Sequence, residues 1–425
     1  MSRRVVVTGL GVIAPNANGL GDFELALRKG KSGIRRHAAM DASGFACRVA
    51  GVPQGTDELA AATFEADELL AMNSSQRFCS LAAADAWRDA GLEIPERGDD
   101  RVDWETGAVL GTGIGGMDTV AERIVPFVNE KKVRRLGSTA VEQCMASGVS
   151  ARVSGLLALG NQVTTNSSAC STGVEAVALG LERIRGGRAS RMVCGGSEGE
   201  SHYIWAGFDA MRVLCRGFND EPEKASRPLS ASAGGFVPGA GAGVLVLESL
   251  DAARERGARI HAEVLGYAIN CGGHRGGGSM TAPNPAGVRR CVRDALADAG
   301  VSGRDVDLVN GHLTATGADA SEVASWAWAL ERGPAEFPTL TATKSMIGHT
   351  LGAAGAIECV ATLLMLRGRF AHPCLNSEDL HPEIEPFAAS IPREERELPD
   401  ARIAVKAGFG FGDVNAAVVF RAWNA

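Results

Sequence analysis

The chain carries one supersecondary pattern twice. Asp85-Ala-Trp-Arg-Asp-Ala-Gly-Leu92 is echoed far downstream by Asp294-Ala-Leu-Ala-Asp-Ala-Gly-Val301. Each copy reads as a helix closed by glycine, leading to a strand at Ala108–Leu110 or Val306–Val309. A second pair follows. Gly173 to Arg188 has apolar residues at Val174, Val177, Ala178, Leu181 and Ile184, and Gly355 to Arg369 has them at Ile357, Val360, Ala361 and Leu364. Both runs keep helical spacing and close on Arg-Gly (Arg185-Gly186 and Arg367-Gly368). Val7-Thr-Gly9 and Val264-Leu-Gly266 are the expected opening strands of the two copies. Duplicated strand–helix alternation predicts an α/β fold of layered sheets and helices in two pseudo-symmetric halves. The boundaries read as residues 1–255 and 256–425, with a site between the halves.

The 425 residues exceed one small core. A net charge of −7 argues against general nucleic-acid binding. Ten cysteines are scattered with no CxxC pair. That argues against a zinc site and a disulfide scaffold, so no metal is expected and a reducing, cytoplasmic location is. Most of these cysteines (Cys47, Cys194, Cys291 and Cys359 among them) are expected to be small buried apolar residues. The apolar run Val5–Ile13 mimics a signal peptide but is broken by Thr8, Gly9 and Gly11, and reads as a buried strand and turn. No apolar stretch is expected to be long enough to cross a bilayer, and no membrane partner is expected.

Chemistry concentrates at Ser167-Ser168-Ala169-Cys170-Ser171-Thr172-Gly173, a seam between strand-like and helix-like runs. A cysteine at a helix N-terminus meets backbone N–H groups and a dipole that favour the thiolate. Two histidines lie downstream, His312 in Asn-Gly-His-Leu-Thr-Ala-Thr and His349 in Lys-Ser-Met-Ile-Gly-His-Thr-Leu-Gly. One activated cysteine with two histidines suggests carbon–carbon bond formation through an enzyme-bound thioester. Lys344, one of only seven lysines, sits among small apolar residues, where its charge would polarise the histidines or order the site through a carboxylate. Asp319 and Glu322 are expected to pair with it. Gly111-Thr-Gly-Ile-Gly-Gly116 formally matches a dinucleotide fingerprint, but no second strand ends in an acid about twenty residues on.

These residues resemble the β-ketoacyl-acyl-carrier-protein synthases, the elongating type I/II condensing enzymes of the thiolase superfamily. The resemblance runs from Val6-Val7-Thr8-Gly9-Leu10-Gly11 to Gly408-Phe-Gly-Phe-Gly412. Phe208-Asp-Ala-Met211, Asn219 to Arg227 and Met145 to Ser150 look like the elongating type I enzyme. It implies a thiolase fold, a duplicated α-β-α-β-α layering, and usually a homodimer. The implied reaction is decarboxylative Claisen condensation of a Cys170-bound acyl group with malonyl-acyl carrier protein. No cofactor is implied, since substrates arrive on the carrier's phosphopantetheine.

By the same resemblance Cys170 is the nucleophile, with its N–H and that of Phe411 forming the oxyanion hole. His312 and His349 stabilise the enolate, and Phe411, with Phe409 beside it, gates the acyl pocket. Glu358 is a buried structural or water-ordering acid, and Thr314 and Thr316 support the site. The basic run Lys131, Lys132, Arg134 and Arg135 would dock the acidic carrier protein, although acidic Glu65, Asp67 and Glu68 replace the other half of the usual patch.

The sequence also departs from the family pattern. His312-Leu313-Thr314-Ala315-Thr316-Gly317 stands where His-Gly-Thr-Ser-Thr-Pro is usual, one residue short before Asp319. Leu313 is expected to alter the pantetheine tunnel or the His312 backbone. Asp413 replaces glycine, Ala407-Gly408 replaces Asn-Ser, and Ser230 to Gly234 replaces a charged loop. These changes are expected to cluster at the pocket and to mark a specialised subgroup, in polyene or other secondary-lipid synthesis. A thiolase would need a second cysteine within Gly408–Asp413, and a primer-condensing synthase asparagine at His349. A chain-length-factor partner subunit would lack Cys170, although this chain could act in a heterodimer beside one.

Overall fold

A computed structural model of the chain describes residues 3–423. Its frame is one sheet of ten strands in sequence: β1 (Val5–Ala14), β2 (Thr106–Gly111), β3 (Val163–Thr164), β4 (Arg191–Glu198), β5 (Gly241–Ser249), β6 (Ala262–Cys271), β7 (Leu308–Asn310), β8 (Thr339–Thr341), β9 (Ile403–Gly410) and β10 (Val414–Ala422). A short strand, Ala17–Asn18, pairs on β1 as the eleventh. The spatial order is β8-β7-β9-β10-β6-β1-β5-β4-β2-β3.

The order reads as two copies of one five-stranded unit. In each, the outer two ladders are parallel (β3–β2–β4; β8–β7–β9) and the inner two antiparallel (β4–β5–β1; β9–β10–β6). Within the sheet the copies join where Val5–Val7 pairs with Val264–Ala262.

Helices complete the layers. On one outer face α1 (Ser74–Asp89) covers β1 and β5, with α2 (Gly148–Leu157) beside it. On the other, α4 (Pro285–Ala299) covers β6 and β10 and packs on α5 (Asp319–Leu330). Between the halves lie α3 (Thr172–Arg185) and α6 (Ala354–Gly368), each touching strands of both units. This is the five-layered thiolase arrangement. The helices that the sequence pairs as repeats, α1 with α4 and α3 with α6, occupy equivalent places. Gly91 and Gly300 close α1 and α4 at φ 72° and 67°, which glycine adopts without steric cost.

The two middle helices cross at glycine. A Cβ on Gly173 would stand 2.3 Å from the Ala356 nitrogen, and one on Gly355 2.8 Å from that of Val174. β1 is buried throughout, as its sequence suggests. One sequence expectation is corrected here. Leu351–Gly368 has the length and hydropathy of a membrane span, but 89% of it is buried inside the protein. It is apolar on every side because protein surrounds every side.

Candidate active site

Both middle helices begin with the same device. A 3₁₀ turn, Ala169–Ser171, feeds α3, and another, Leu351–Ala353, feeds α6. Ala169 and Leu351 both sit at φ 47°, a left-handed conformation that is strained for a side-chain-bearing residue. The first elbow carries Cys170. The second carries glycine at the matching place, with His349 just ahead of it. His312 follows the end of β7.

The three groups converge. Cys170 Sγ lies 3.0 Å from His349 Nε2, and the two imidazole rings are 5.5 Å apart and nearly perpendicular. All three border one pocket of about 790 Å³. Leu351 N–H donates to His349 Nδ1 at 3.3 Å, so that nitrogen holds its lone pair and Nε2 carries the proton toward the sulfur. His349 therefore meets Cys170 as a hydrogen-bond donor. Sγ and the two ring nitrogens lie within 4.8 Å of one another, the one such cluster among the described residues that could gather an ion.

Burial pushes the Cys170 thiol up to about 11, against the opposing pull of the Lys344 charge and the Phe411 N–H. Burial thus opposes the thiolate that the helix terminus favours, and desolvation is the larger of the two effects. His312 and His349 are held well below the ordinary imidazole value, first by burial and then by the charge of Lys344. Both rings are neutral near pH 7.

The acids are arranged differently from expectation. Lys344 pairs with Glu358 at 2.5 Å and donates to the His312 carbonyl at 2.6 Å. Glu322 instead accepts the N–H groups of His312 and Leu313 at 2.6 and 2.8 Å, and Trp326 Nε1 at 3.1 Å. Asp319 accepts those of Leu229, Thr314 and Ala315. The loop after β7 turns its amides toward α5, so these carboxylates cap backbone rather than salt-bridge a lysine. Burial, reinforced by Asp319, raises Glu322 to about 7.

Thr314 and Thr316 line the pocket and share a 3.0 Å hydroxyl contact. Phe409 is buried beside His312. Phe411 is less buried and faces Phe208 across the pocket at 6.0 Å. Phe208, Met211, Val213 and Phe236 give the lining an apolar side, whereas Thr281, Thr314, Thr316 and Ser321 give it a polar one.

Leu313 does not border the pocket. It is fully buried in the core of the second half, at φ 25°. Ser230–Gly234 also lies off the pocket, with Ser230 and Ser232 bound to Asp379. Lys131, Lys132, Arg134 and Arg135 are exposed, outside the pocket lining.

Two residues escaped the sequence reading. Glu198, buried at the end of β4, accepts the N–H groups of Gly113 and Gly352 at 2.9 and 3.0 Å, tying the first-half loop to the second elbow. Its carboxylate fills the Gly111–Gly116 loop where a phosphate would sit, which removes the dinucleotide reading. Lys406 is buried in β9. Lys406 is the one charge in an apolar strand, and Glu198 ends a run of apolar and small residues, and that was the available signal.

Residues 2–253 match the family described as "Beta-ketoacyl synthase, N-terminal domain", and residues 261–378 its C-terminal domain. The chain belongs to the β-ketoacyl synthase family. This synthase is 35% identical to "3-oxoacyl-[acyl-carrier-protein] synthase 2" of Rhizobium meliloti (strain 1021) over 437 residues, covering 99% of both chains. It is also 35% identical to "Putative polyketide beta-ketoacyl synthase 1" of Streptomyces halstedii over 429 residues, covering 99% of this chain and 98% of that one. Among solved structures, "The ishigamide ketosynthase/chain length factor" superposes with TM-score 0.87 at 30% identity, covering all of both chains. A type II polyketide acyl-carrier protein in complex with its ketosynthase gives TM-score 0.87 at 28% identity, again covering all of both chains.

Proposed function

We propose that this synthase performs decarboxylative Claisen condensation in fatty-acid, polyene or polyketide-type chain elongation. The carrying observation is the convergence of Cys170, His312 and His349 on one pocket. The Cys170 sulfur attacks the carrier thioester, and the Cys170 and Phe411 N–H groups receive the oxyanion. The carbonyl re-forms as the bond to the pantetheine sulfur breaks, that sulfur leaving as a thiol with the proton Cys170 gave up. In bound malonyl thioester the bond to the carboxylate breaks, carbon dioxide leaves, and its electron pair moves into an enolate. Neutral His312 and His349 donate to that oxygen. The enolate carbon attacks the acyl carbonyl, and Cys170 leaves as thiolate.

The substrates arrive on phosphopantetheine, and no resident cofactor is invoked. The partner is an acyl carrier protein. We place its docking at Lys131, Lys132, Arg134 and Arg135. Reversing these charges should raise KM for carrier-bound substrate more than for a small thioester mimic, and equal effects would remove this docking site. A homodimer is supported by the open outer edge of β3 and by exposed Ile114, Val141 and Met145. A heterodimer with a chain-length-factor-like subunit is the alternative assembly. The chain itself is not read as such a factor, because it keeps the nucleophile. All ten cysteines are free, which supports a reducing, cytoplasmic setting.

Intact-protein mass spectrometry after exposure to acyl-carrier substrates tests the reading. The wild type should gain one acyl mass and Cys170→Ala none. His312→Ala should acylate yet fail to condense. An adduct persisting on the Cys170 variant refutes the assignment.

A further inference from the structure

Lys406 lies fully buried on β9, beneath the backbone that leads to His312. Its nitrogen faces the carbonyls of Asn310 at 3.4 Å and Gly311 at 3.1 Å, and Glu358 Oε2 at 2.6 Å. All three are acceptors, and a nitrogen so surrounded is an ammonium, since a neutral amine would turn its lone pair on one of them. The other oxygen of Glu358 pairs with Lys344, which holds the His312 carbonyl. Three successive carbonyls, those of Asn310, Gly311 and His312, are thus held by two ammoniums that share one carboxylate.

The charge count decides what this does. Lys344 and Glu358 alone would cancel. With Lys406 the buried cluster carries one net positive charge beside both imidazoles, and charge in so dry a place is weakly screened. Both rings respond to it, since Lys344 and Lys406 each push their pKa down.

We propose that Lys406 is a positioning residue of the condensation: it neutralises Glu358, so that the charge of Lys344 stays uncompensated next to the histidine pair and favours the enolate formed as carbon dioxide leaves. This rests on the condensation reading above. A purely structural Lys406, clasping β9 to the loop after β7, is the rival.

Removing charges singly and together separates the two. Lys406→Met leaves the cluster neutral, whereas Lys406→Met combined with Glu358→Gln restores one net positive charge on Lys344. Malonyl-carrier decarboxylation should fall roughly tenfold or more in Lys406→Met with KM little changed, and return to within about threefold of wild type in the double variant. A clasp predicts the reverse, with the double variant the more impaired, and that result overturns the proposal. If Lys406→Met does not fold, the double variant should still fold and decarboxylate near the wild-type rate, and its failure to do so is equally decisive. Acyl transfer to Cys170 in the wild type, read by mass in parallel, tests the underlying reading separately.

Discussion

The Cys170 sulfur and His349 Nε2 lie 3.0 Å apart, with the imidazole as the donor. A neutral ring in this tautomer steadies a thiolate but cannot take its proton. With the thiol pushed up to about 11 by burial, the anion is scarce at pH 7, on the order of one part in ten thousand. Alkylation of Cys170 by iodoacetamide should therefore keep rising with pH past about 9.5, above which an ordinary thiol has levelled off. His349→Ala removes a donor to the anion and should slow labelling at any fixed pH. A plateau already reached by about pH 9.5 would contradict this account.

The acid side follows from the histidines. Both are held well below the ordinary value by burial and Lys344. As pH falls through 6.5 neither ring gains a proton, so malonyl-carrier decarboxylation should show no inflection there once Glu322, the acid at about 7 on the His312 amide, is changed to glutamine. The neutral rings persist above their depressed values and are lost only below them. A drop centred at 6.5 that persists in Glu322→Gln would mean that the rings are solvated.

The α3–α6 crossing sets a stability prediction away from the chemistry. Gly173→Ala forces a methyl to 2.3 Å from a backbone nitrogen and should cost about 1–3 kcal/mol or more. Gly155→Ala in α2 meets nothing within 4 Å and should be neutral or stabilising by about 0.5–1 kcal/mol. Chemical denaturation of the two variants compares them directly, and equal stabilities would refute the close crossing.

Much of this was legible in sequence because repetition and motif are local signals. The α1/α4 and α3/α6 repeats fixed the layering, and the Cys170 seam gave the elbow. The partners of the acids were not legible. Glu322 and Asp319 follow His312 closely enough to suggest Lys344, yet the turn after β7 presents its amide hydrogens to them first. Glu358 is claimed by two lysines, one of which arrives from a strand far along the chain. Such pairings depend on β-sheet neighbours distant in sequence, which spacing does not encode.

Leu313 offers a test in which two effects oppose. Its φ of 25° costs about 1–2 kcal/mol for a non-glycine residue. Its side chain is fully buried, and truncating a buried leucine costs about 2–5 kcal/mol. The cavity term is larger, so Leu313→Ala should be clearly destabilised. Leu313→Gly should recover part of that loss, by about 1 kcal/mol, without reaching wild type. If the glycine variant proves more stable than wild type in urea unfolding, backbone strain dominates this position.

Asp413 stands where the family pattern has glycine, and at φ 60° it keeps the left-handed backbone that glycine would supply. Its carboxylate accepts the N–H groups of His274 at 3.0 Å and Asn284 at 2.7 Å. Those bonds tie the turn after Phe411 to the glycine-rich loop at Gly272–Asn284, part of which lines the pocket. Aspartate tolerates the left-handed region, so the strain is small beside two hydrogen bonds to a buried carboxylate, each worth about 1.5–3 kcal/mol. Asp413→Gly should lose about 1–3 kcal/mol, become more open to protease within that loop, and raise KM for carrier-bound substrate more than it lowers kcat. Asp413→Asn keeps one acceptor oxygen and should fall between. Unchanged proteolysis together with unchanged KM in Asp413→Gly would show that the carboxylate does not restrain the loop.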